Sequence, residues 1–434
     1  MNNGHYWLKN ISIEGLHGEL NIDIDLKTGI NVIFGNNGIG KTTLLHIIAN
    51  VANRDFERFA HIAFKTITLT MNNGFEVAVK KKPEDEKISV LLNGRAAKLN
   101  DQGQLSEKFE STLAMYFGKH AVYVPAFRNV LQKMEGASNL PWHNLSRFET
   151  VLGRRHPANA DDENEEIIQK KTEQCRSWFG EFVPTIRYPS VDEARVSLEQ
   201  YWGRADSAAR RDESNTLSDA TNSILADFLG RKPQELKELI GDILDDFPEE
   251  IAQEDVLAES LAASLGRNGK HGPRDKMDPT KYGAQYIGAL MQTRSKRKDI
   301  FRKIDRFTES MNTFLEPERE FTISGQYSNR PSPRIFFKHS SKRDYHFDGL
   351  SSGERQLVTL LFSAWQEAGD STLMLIDEPE LSLHIDWQRR ILKEMHKQSD
   401  QQIIACTHAP EVAADIDQGY QVFDRFSSVD DGGH

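Results

Sequence analysis

The stretch "NVIFGNNGIGKTTLLHIIAN", Asn31 to Asn50, decides the fold. A short apolar run leads through a glycine-rich turn into a lysine, two threonines and a helix-forming segment. Gly35-Asn36-Asn37-Gly38-Ile39-Gly40-Lys41-Thr42 satisfies G-x-x-x-x-G-K-[ST] between an expected strand and an expected helix, the context that a phosphate-binding loop requires. Glycines let the backbone wrap around phosphates with several N–H groups turned inward. The helix starting near Lys41 adds its positive N-terminal end. Lys41 offers a mobile cation to the β- and γ-phosphates, and Thr42 can place its hydroxyl on Mg²⁺. With Thr43 in the first helical turn, Gly35 to Thr43 reads as a cradle for the phosphates of a nucleotide.

On either side of this loop the first third of the chain is mixed α/β. "YWLKNISIEG" and "LNIDIDL" alternate apolar and polar residues as half-buried strands do, and "INVIF" suits a central strand. "FKTITLT", "FEVAVK" and "ISVLL" follow, separated by turns at Asn72-Asn73-Gly74 and Asn93-Gly94, and predict an antiparallel side sheet. "HAVYVPAF" reads as another core strand ending at Pro125. From about Ser146 to Phe314 the texture becomes helical. "DDENEEIIQKKTEQCRSWFGEF" and "RKPQELKELIGDILDDF" carry apolar residues at spacings of three and four, while "GRNGKHGPRDKMDPTKYG" reads as a loop. Strand texture returns at "REFTISG" and "PRIFFK". A long helix near Ser351, the strand "TLMLID", a helix from about Asp386 to Lys397, the strand "QIIAC", a short helix after Pro410 and a last strand "GYQVFDR" complete the pattern. The expected organisation is an α/β domain split by a helical insertion: residues 1–145, 146–314 and 315–434.

Three further segments carry chemistry. "TLMLIDEPELSLH" ends a buried apolar run at Asp377, where a carboxylate can hold Mg²⁺ directly or through water. Glu378 beside it is placed to orient and deprotonate an attacking water. "LSSGERQ", Leu350 to Gln356, gathers hydroxyls and backbone N–H groups at a helix N-terminus, which suits an anion and equally suits an ordinary N-cap. "QIIAC" runs into Thr407-His408-Ala409-Pro410, leaving His408 at the carboxyl edge of a parallel sheet, where ligands bind.

In this order and spacing the four motifs resemble the nucleotide-binding domain of ABC-type ATPases. The resemblance implies an α/β P-loop ATPase head, with ATP and Mg²⁺ as cofactors and Lys41, Glu378 and His408 as catalytic groups. It makes Leu350 to Glu354 the signature motif, Pro379 to Ser382 the D-loop and His408 the switch histidine at the γ-phosphate. Such domains pair head to tail, so Ser351, Ser352, Gly353 and Glu354 would serve the partner's nucleotide, and a homodimer or higher oligomer is implied. The moderate insertion, "EPELSLH" and "THAPEV" are similar to soluble ATPases related to the overcoming-lysogenisation-defect (OLD) family and RecF. About two dozen residues follow Pro410, too few for a TOPRIM nuclease domain. The resemblance therefore extends to the ATPase subunits of anti-phage systems (Septu, retron-linked Septu-like modules, PARIS), which control a separate HNH or TOPRIM nuclease. The rivals are a RecF-like ATPase that clamps DNA and a scaffold that hydrolyses ATP very slowly. Three positions depart from the ABC pattern. Leu16-His17 stands where an aromatic-basic pair contacts adenine, Gln132 is the nearest counterpart of the Q-loop glutamine, and Arg128 could reach phosphate or make a structural ion pair.

Composition narrows the options further. A net charge of −11 over 434 residues repels nucleic acid on average, so DNA binding is not the default despite the basic run Arg294 to Lys298. No apolar run approaches the roughly 20 residues that cross a bilayer, and "MNNGHYWLKN" lacks a signal-peptide layout, so a cytoplasmic protein that avoids membranes is expected. Cys175 and Cys406, far apart, predict inert thiols rather than a disulfide or a zinc site.

Overall fold

The computed structural model describes residues 6–18, 20–81, 87–97, 100, 105–128, 131, 160–229, 279–324, 334–341, 343–366, 372–416 and 420–422. "RKPQELKELIGDILDDF", most of the glycine- and proline-rich loop that follows it, and Gln132 lie outside the described residues. Two compact units divide the chain: Met1–Glu199 with Lys303–His434, and Gln200–Arg302.

The first unit holds the two sheets that the strand patterns predict. β1 (Leu8–Leu16), β2 (Leu20–Asp25), β4 (Thr66–Met71), β5 (Glu76–Lys81), β6 (Ile88–Leu92) and β7 (Arg95–Ala97) form an antiparallel sheet in the order β2-β1-β4-β5-β6-β7. Their alternation is physical: Ile67, Leu69 and Met71 are buried on one face of β4, with half-exposed threonines between them. The second sheet, ordered β13-β3-β12-β11-β8, is parallel throughout. It comprises β3 (Ile30–Phe34), β8 (Val122–Val124), β11 (Leu373–Asp377), β12 (Gln402–Thr407) and β13 (Tyr420–Val422). Every residue of β11 and β12 is buried, which explains their continuous apolar texture, since a parallel sheet is covered on both faces. β9 (Arg319–Ser324) and β10 (Arg334–His339) make a separate antiparallel pair.

α1 (Lys41–Ala52) follows β3 and buries Leu44, Leu45, Ile47, Ile48 and Val51 completely. Burying each such side chain contributes about 1.5–3 kcal/mol, so the helix that begins the phosphate loop is anchored by the core. α2 (Glu107–Phe117) is a helix that the sequence patterns left unassigned; it buries only Leu113 and Phe117. α3 (Ala160–Phe179) coincides with the first amphipathic stretch of the expected insertion, and α4 (Val191–Leu229) and α5 (Pro279–Leu315) each contribute to both compact units. α6 (Ser352–Gln366) and α7 (Ile385–Ser399) flank β11, and a 3₁₀ turn at Pro410–Ala413 stands for the short helix expected there. Among the described residues no helix is long and apolar enough to cross a membrane.

Buried polar side chains lock the sheets together. The amide of Gln402, at the start of β12, accepts from Leu8 N and donates to the carbonyls of Leu8 and Lys27, tying the antiparallel sheet to the parallel one. His46 on α1 meets the Tyr123 hydroxyl of β8 at 2.8 Å, and burial drives its pKa down to about 3. The folded imidazole therefore stays neutral from its ordinary value of 6.5 down to about 3, whereas the unfolded one takes up a proton below 6.5. Stability from this site is complete above pH 6.5 and is lost as pH falls toward 3. His46→Gln can keep the bond to Tyr123 without the proton uptake. Its unfolding free energy in urea should fall by about 2 kcal/mol less than that of the wild type between neutral pH and pH ~5. Parallel losses in the two proteins would refute the assignment.

Candidate active site

The parallel sheet brings the carboxyl ends of β3, β12 and β11 to one edge, and the site grows from those ends. After Phe34 the chain turns through Gly35 to Gly40. Gly38 and Gly40 have φ of 81° and 93°, and Gly40 is the N-cap of α1. A Cβ at either would meet nothing within 4 Å, so the left-handed backbone, rather than crowding, calls for glycine here. Asn36 and Asn37 are exposed, Ile39 and Thr43 are half-buried, and Gly35 N–H bonds the carbonyl of Thr407 at 3.3 Å. Lys41 is buried rather than mobile: its ammonium donates to the carbonyls of Gly35 (2.6 Å) and Asn36 (2.8 Å), which hold the cation against the loop.

The Thr42 hydroxyl donates to Asp377 Oδ2 at 2.7 Å. Asp377 is buried, and burial pushes its carboxyl up to about 6; the Thr42 bond opposes this, Glu378 adds to it, and Arg128 and Lys41 pull it down. A hydroxyl and a carboxylate converging at the phosphate loop are hard oxygen donors of the kind Mg²⁺ takes, and a dication beside Asp377 would offset the cost of its buried charge. Among the described residues no group of three or more His, Cys, Asp or Glu side chains is arranged to hold a metal.

Beyond Asp377 the chain makes a sharp corner. Glu378 adopts φ 50°, a conformation costing a non-glycine residue about 1–2 kcal/mol, and its N–H still bonds the carbonyl of Cys406 at 2.8 Å. Arg128, completely buried, holds the corner from below. It donates to the carbonyls of Asp377 (2.8 Å), Glu378 (2.6 Å) and Pro125 (3.1 Å). Its two expected roles, phosphate contact and structural ion pair, are both replaced by this carbonyl clamp. A guanidinium offers five donors in a rigid fork, which suits adjacent carbonyls at a strand end.

His408 lies beside this corner, its side chain 46% exposed, with Nδ1 3.6 Å from Glu378 Oε1 and 3.2 Å from Glu380 Oε1. Glu380 is a residue for which the sequence suggested no role. It is buried in the turn after Glu378, where Oε1 accepts from the Thr407 hydroxyl (2.7 Å) and from His408 N–H (3.2 Å). A glutamate inside a proline-containing turn reads as solvated; only the acid three residues beyond Asp377 and the threonine before His408 hinted otherwise.

The Leu350–Glu354 segment is built separately. Ser351 and Glu354 form a capping box: Ser351 Oγ accepts from Glu354 N–H at 3.3 Å, and Glu354 Oε2 accepts from Ser351 N–H at 2.8 Å. The other oxygen of Glu354 accepts from the Tyr345 hydroxyl at 3.0 Å and is paired with Arg319. Burial pushes this carboxyl up, but the hydrogen bonds from Ser351 and Tyr345 and the Arg319 charge outweigh it and hold it below its ordinary range. Glu354 thus braces the loop from inside, while Ser351 and Ser352 are exposed. Gly353 packs so closely on the turn after β11 that a Cβ would lie 3.0 Å from the Ser382 carbonyl oxygen. The structure therefore gathers Lys41, Thr42, Asp377, Glu378 and His408 at one sheet edge and leaves Ser351 and Ser352 exposed. At the Leu16-His17 corner, His17 takes φ 53° and its N–H bonds the Ala63 carbonyl.

A phosphate loop, a buried strand-end aspartate bonded to its threonine, and a neighbouring glutamate and histidine on a parallel sheet define a P-loop nucleotide hydrolase. Residues 7–413 match the family described as AAA ATPase domain, and the chain belongs to that family. It is an ATPase with a mixed α/β P-loop fold. Among solved structures it is similar to the Smc head domain of Pyrococcus furiosus, with an extended coiled coil and bound to the C-terminal domain of ScpA. That similarity is at 18% identity, 94% of this chain and 91% of that one, with a TM-score of 0.41. It is also similar to the Smc head with a coiled coil and joint from Pyrococcus yayanosii (15%, 94% and 93%, 0.40) and to an SmcHead bound to the C-winged helix domain of ScpA (12%, 94% and 92%, 0.43).

Arg128→Met retains bulk and removes the clamp, leaving buried carbonyls unbonded at about 1–3 kcal/mol each. Urea unfolding should show a loss of about 3 kcal/mol; a loss within about 0.5 kcal/mol would mean that the clamp is dispensable.

Proposed function

We propose that this ATPase is a subunit of a bacterial anti-phage defence complex, working in the cytoplasm as head-to-tail dimers or higher oligomers that sandwich ATP and govern a separate effector nuclease. The observation that carries the pairing is the placement of Ser351 and Ser352. They are exposed on a helix N-terminus whose described contacts run to Arg319, Tyr345 and the turn at Ser382, whereas the phosphate loop makes its contacts with β11 and β12. Such an N-terminus suits the γ-phosphate of a nucleotide held by a second copy. The defence role rests on the resemblance to OLD- and RecF-like ATPases.

In this reading Gly35 to Thr43 wrap the phosphates and Lys41 neutralises charge on the β- and γ-phosphoryl groups. Thr42 and Asp377 would hold Mg²⁺, which would supply neutralisation of phosphate charge when bound. Glu378 orients the attacking water and takes its proton, and His408 meets the γ-phosphate from the β12 side. Ser351, Ser352 and Gly353 of the partner close the site, so ATP joins the two copies and hydrolysis releases them.

Complementation tests this arrangement. Lys41→Ala should abolish ATP binding, and Ser352→Arg should bind ATP yet fail to hydrolyse it. Mixing the two inactive variants creates dimers with one intact composite site, so turnover should reappear; a mixture as inactive as its parts would refute the head-to-tail sandwich. Glu378→Gln should bind ATP without turnover and elute as a stable dimer. Captured from its native host, that variant should bring down a nuclease in fixed ratio, whereas DNA with repair factors and no nuclease would move the role to a RecF-like clamp.

A further inference from the structure

We infer that Glu380 is a positioning residue for ATP hydrolysis, setting the orientation and the tautomer of His408. This rests on the reading of His408 as the γ-phosphate contact. The geometry is one-sided. Glu380 Oε1 takes the Thr407 hydroxyl at 2.7 Å and the His408 backbone N–H at 3.2 Å, and lies 3.2 Å from His408 Nδ1. Glu380 Oε2 is buried with no hydrogen-bond partner. Leaving a carboxylate oxygen unpaired in the interior is costly, and a turn that needed only filling would be served better by an apolar side chain. The carboxylate does something that an apolar residue could not: one oxygen holds the last residue of β12 and the backbone of the next residue, and sets its charge 3.2 Å from one nitrogen of that residue's ring.

The chemical consequence concerns the ring. A nitrogen facing a carboxylate carries the proton, so the Glu380 carboxylate at 3.2 Å favours the Nδ1–H tautomer of His408, with Nε2 on the opposite side of the ring. Glu378 Oε1, at 3.6 Å from the same Nδ1, is the weaker neighbour, which leaves its carboxylate for the attacking water. Glu380 touches neither nucleotide nor water in this scheme; it acts through His408. The same oxygen couples the ring to the phosphate loop, because the carbonyl of Thr407 accepts from Gly35 N–H.

Glu380→Gln, nearly isosteric, tests the role in the full chain with ATP. The expected result is a fall in kcat of about tenfold or more with KM for ATP changed less than about twofold, as befits the loss of an orienting partner. Glu380→Gln combined with His408→Ala should be no slower than His408→Ala alone. Nitrogen NMR of histidine-labelled protein should show His408 as one Nδ1–H tautomer in the wild type and as a mixture in Glu380→Gln. Wild-type kcat in Glu380→Gln, a double variant slower than His408→Ala by the full single-variant factor, or an unchanged ring signal would each overturn the inference. If His408→Ala itself keeps wild-type kcat, the γ-phosphate role of His408 fails instead, and the ring signal still decides whether Glu380 sets the tautomer. Should Glu380→Gln melt below the assay temperature, Glu380→Asp, which keeps the charge but is shorter by one methylene, is read by the same measurements.

Discussion

The hydrogen bond from Thr42 to Asp377 spans 335 positions of chain and fixes the rest of the site. It can form only because β3 and β11 run parallel on either side of β12, with their carboxyl ends at one edge. The register Ile376 to Ala405 to Val32 aligns the three strands, so the phosphate loop, the acidic corner and His408 leave the sheet side by side. The chain between β3 and β11 includes the whole Gln200–Arg302 unit, and the three strands still keep this register. Loop closure over such a length costs only logarithmically more than over a short one, and the burial of β11, β12 and α1 compensates for it.

Around that bond the structure concentrates charge in a place that resists it. Asp377 is pushed upward by burial, and Glu378 sits next to it in a strained backbone conformation. The protein answers with cations held short of the carboxylates: Arg128 is spent on backbone carbonyls, and Lys41 on the carbonyls of its own loop. Neither guanidinium nor ammonium forms a close ion pair that would quench Asp377. An acidic corner braced by carbonyl clamps keeps its charge for the groups that ATP brings with it.

Much of this was legible in the sequence because its signals are local. The phosphate loop declares itself through glycines at positions that take positive φ, and the core strands through runs of apolar residues long enough for one strand and too short for a helix. The antiparallel sheet was readable from alternation and from Asn-Gly turns. Arg128, Glu380 and Gln402 were not readable in their roles, since each is a polar residue buried by partners far away in the chain: Arg128 meets carbonyls some 250 positions on, and Gln402 meets Leu8 across 394. Polarity predicts exposure until a specific partner offsets the cost of burial, and no periodicity records where that partner lies. α2 was missed because only Leu113 and Phe117 of its eleven residues are buried, too few to set up a visible stripe.

The contact at Gly353 links the Leu350–Glu354 loop to the acidic turn. A Cβ there would lie 3.0 Å from the Ser382 carbonyl oxygen, so a side chain would require the loop or the turn to give by a few tenths of an ångström. That turn begins at Pro379, directly after Glu378, and contains Glu380. The Leu350–Glu354 loop is braced from inside by the capping box and by Arg319 and Tyr345. Ser351 and Ser352 therefore sit on a hydrogen-bonded helix end that packs, through Gly353, against the turn carrying the acidic corner. Interiors packed at this density leave little room for one of these segments to shift without the other.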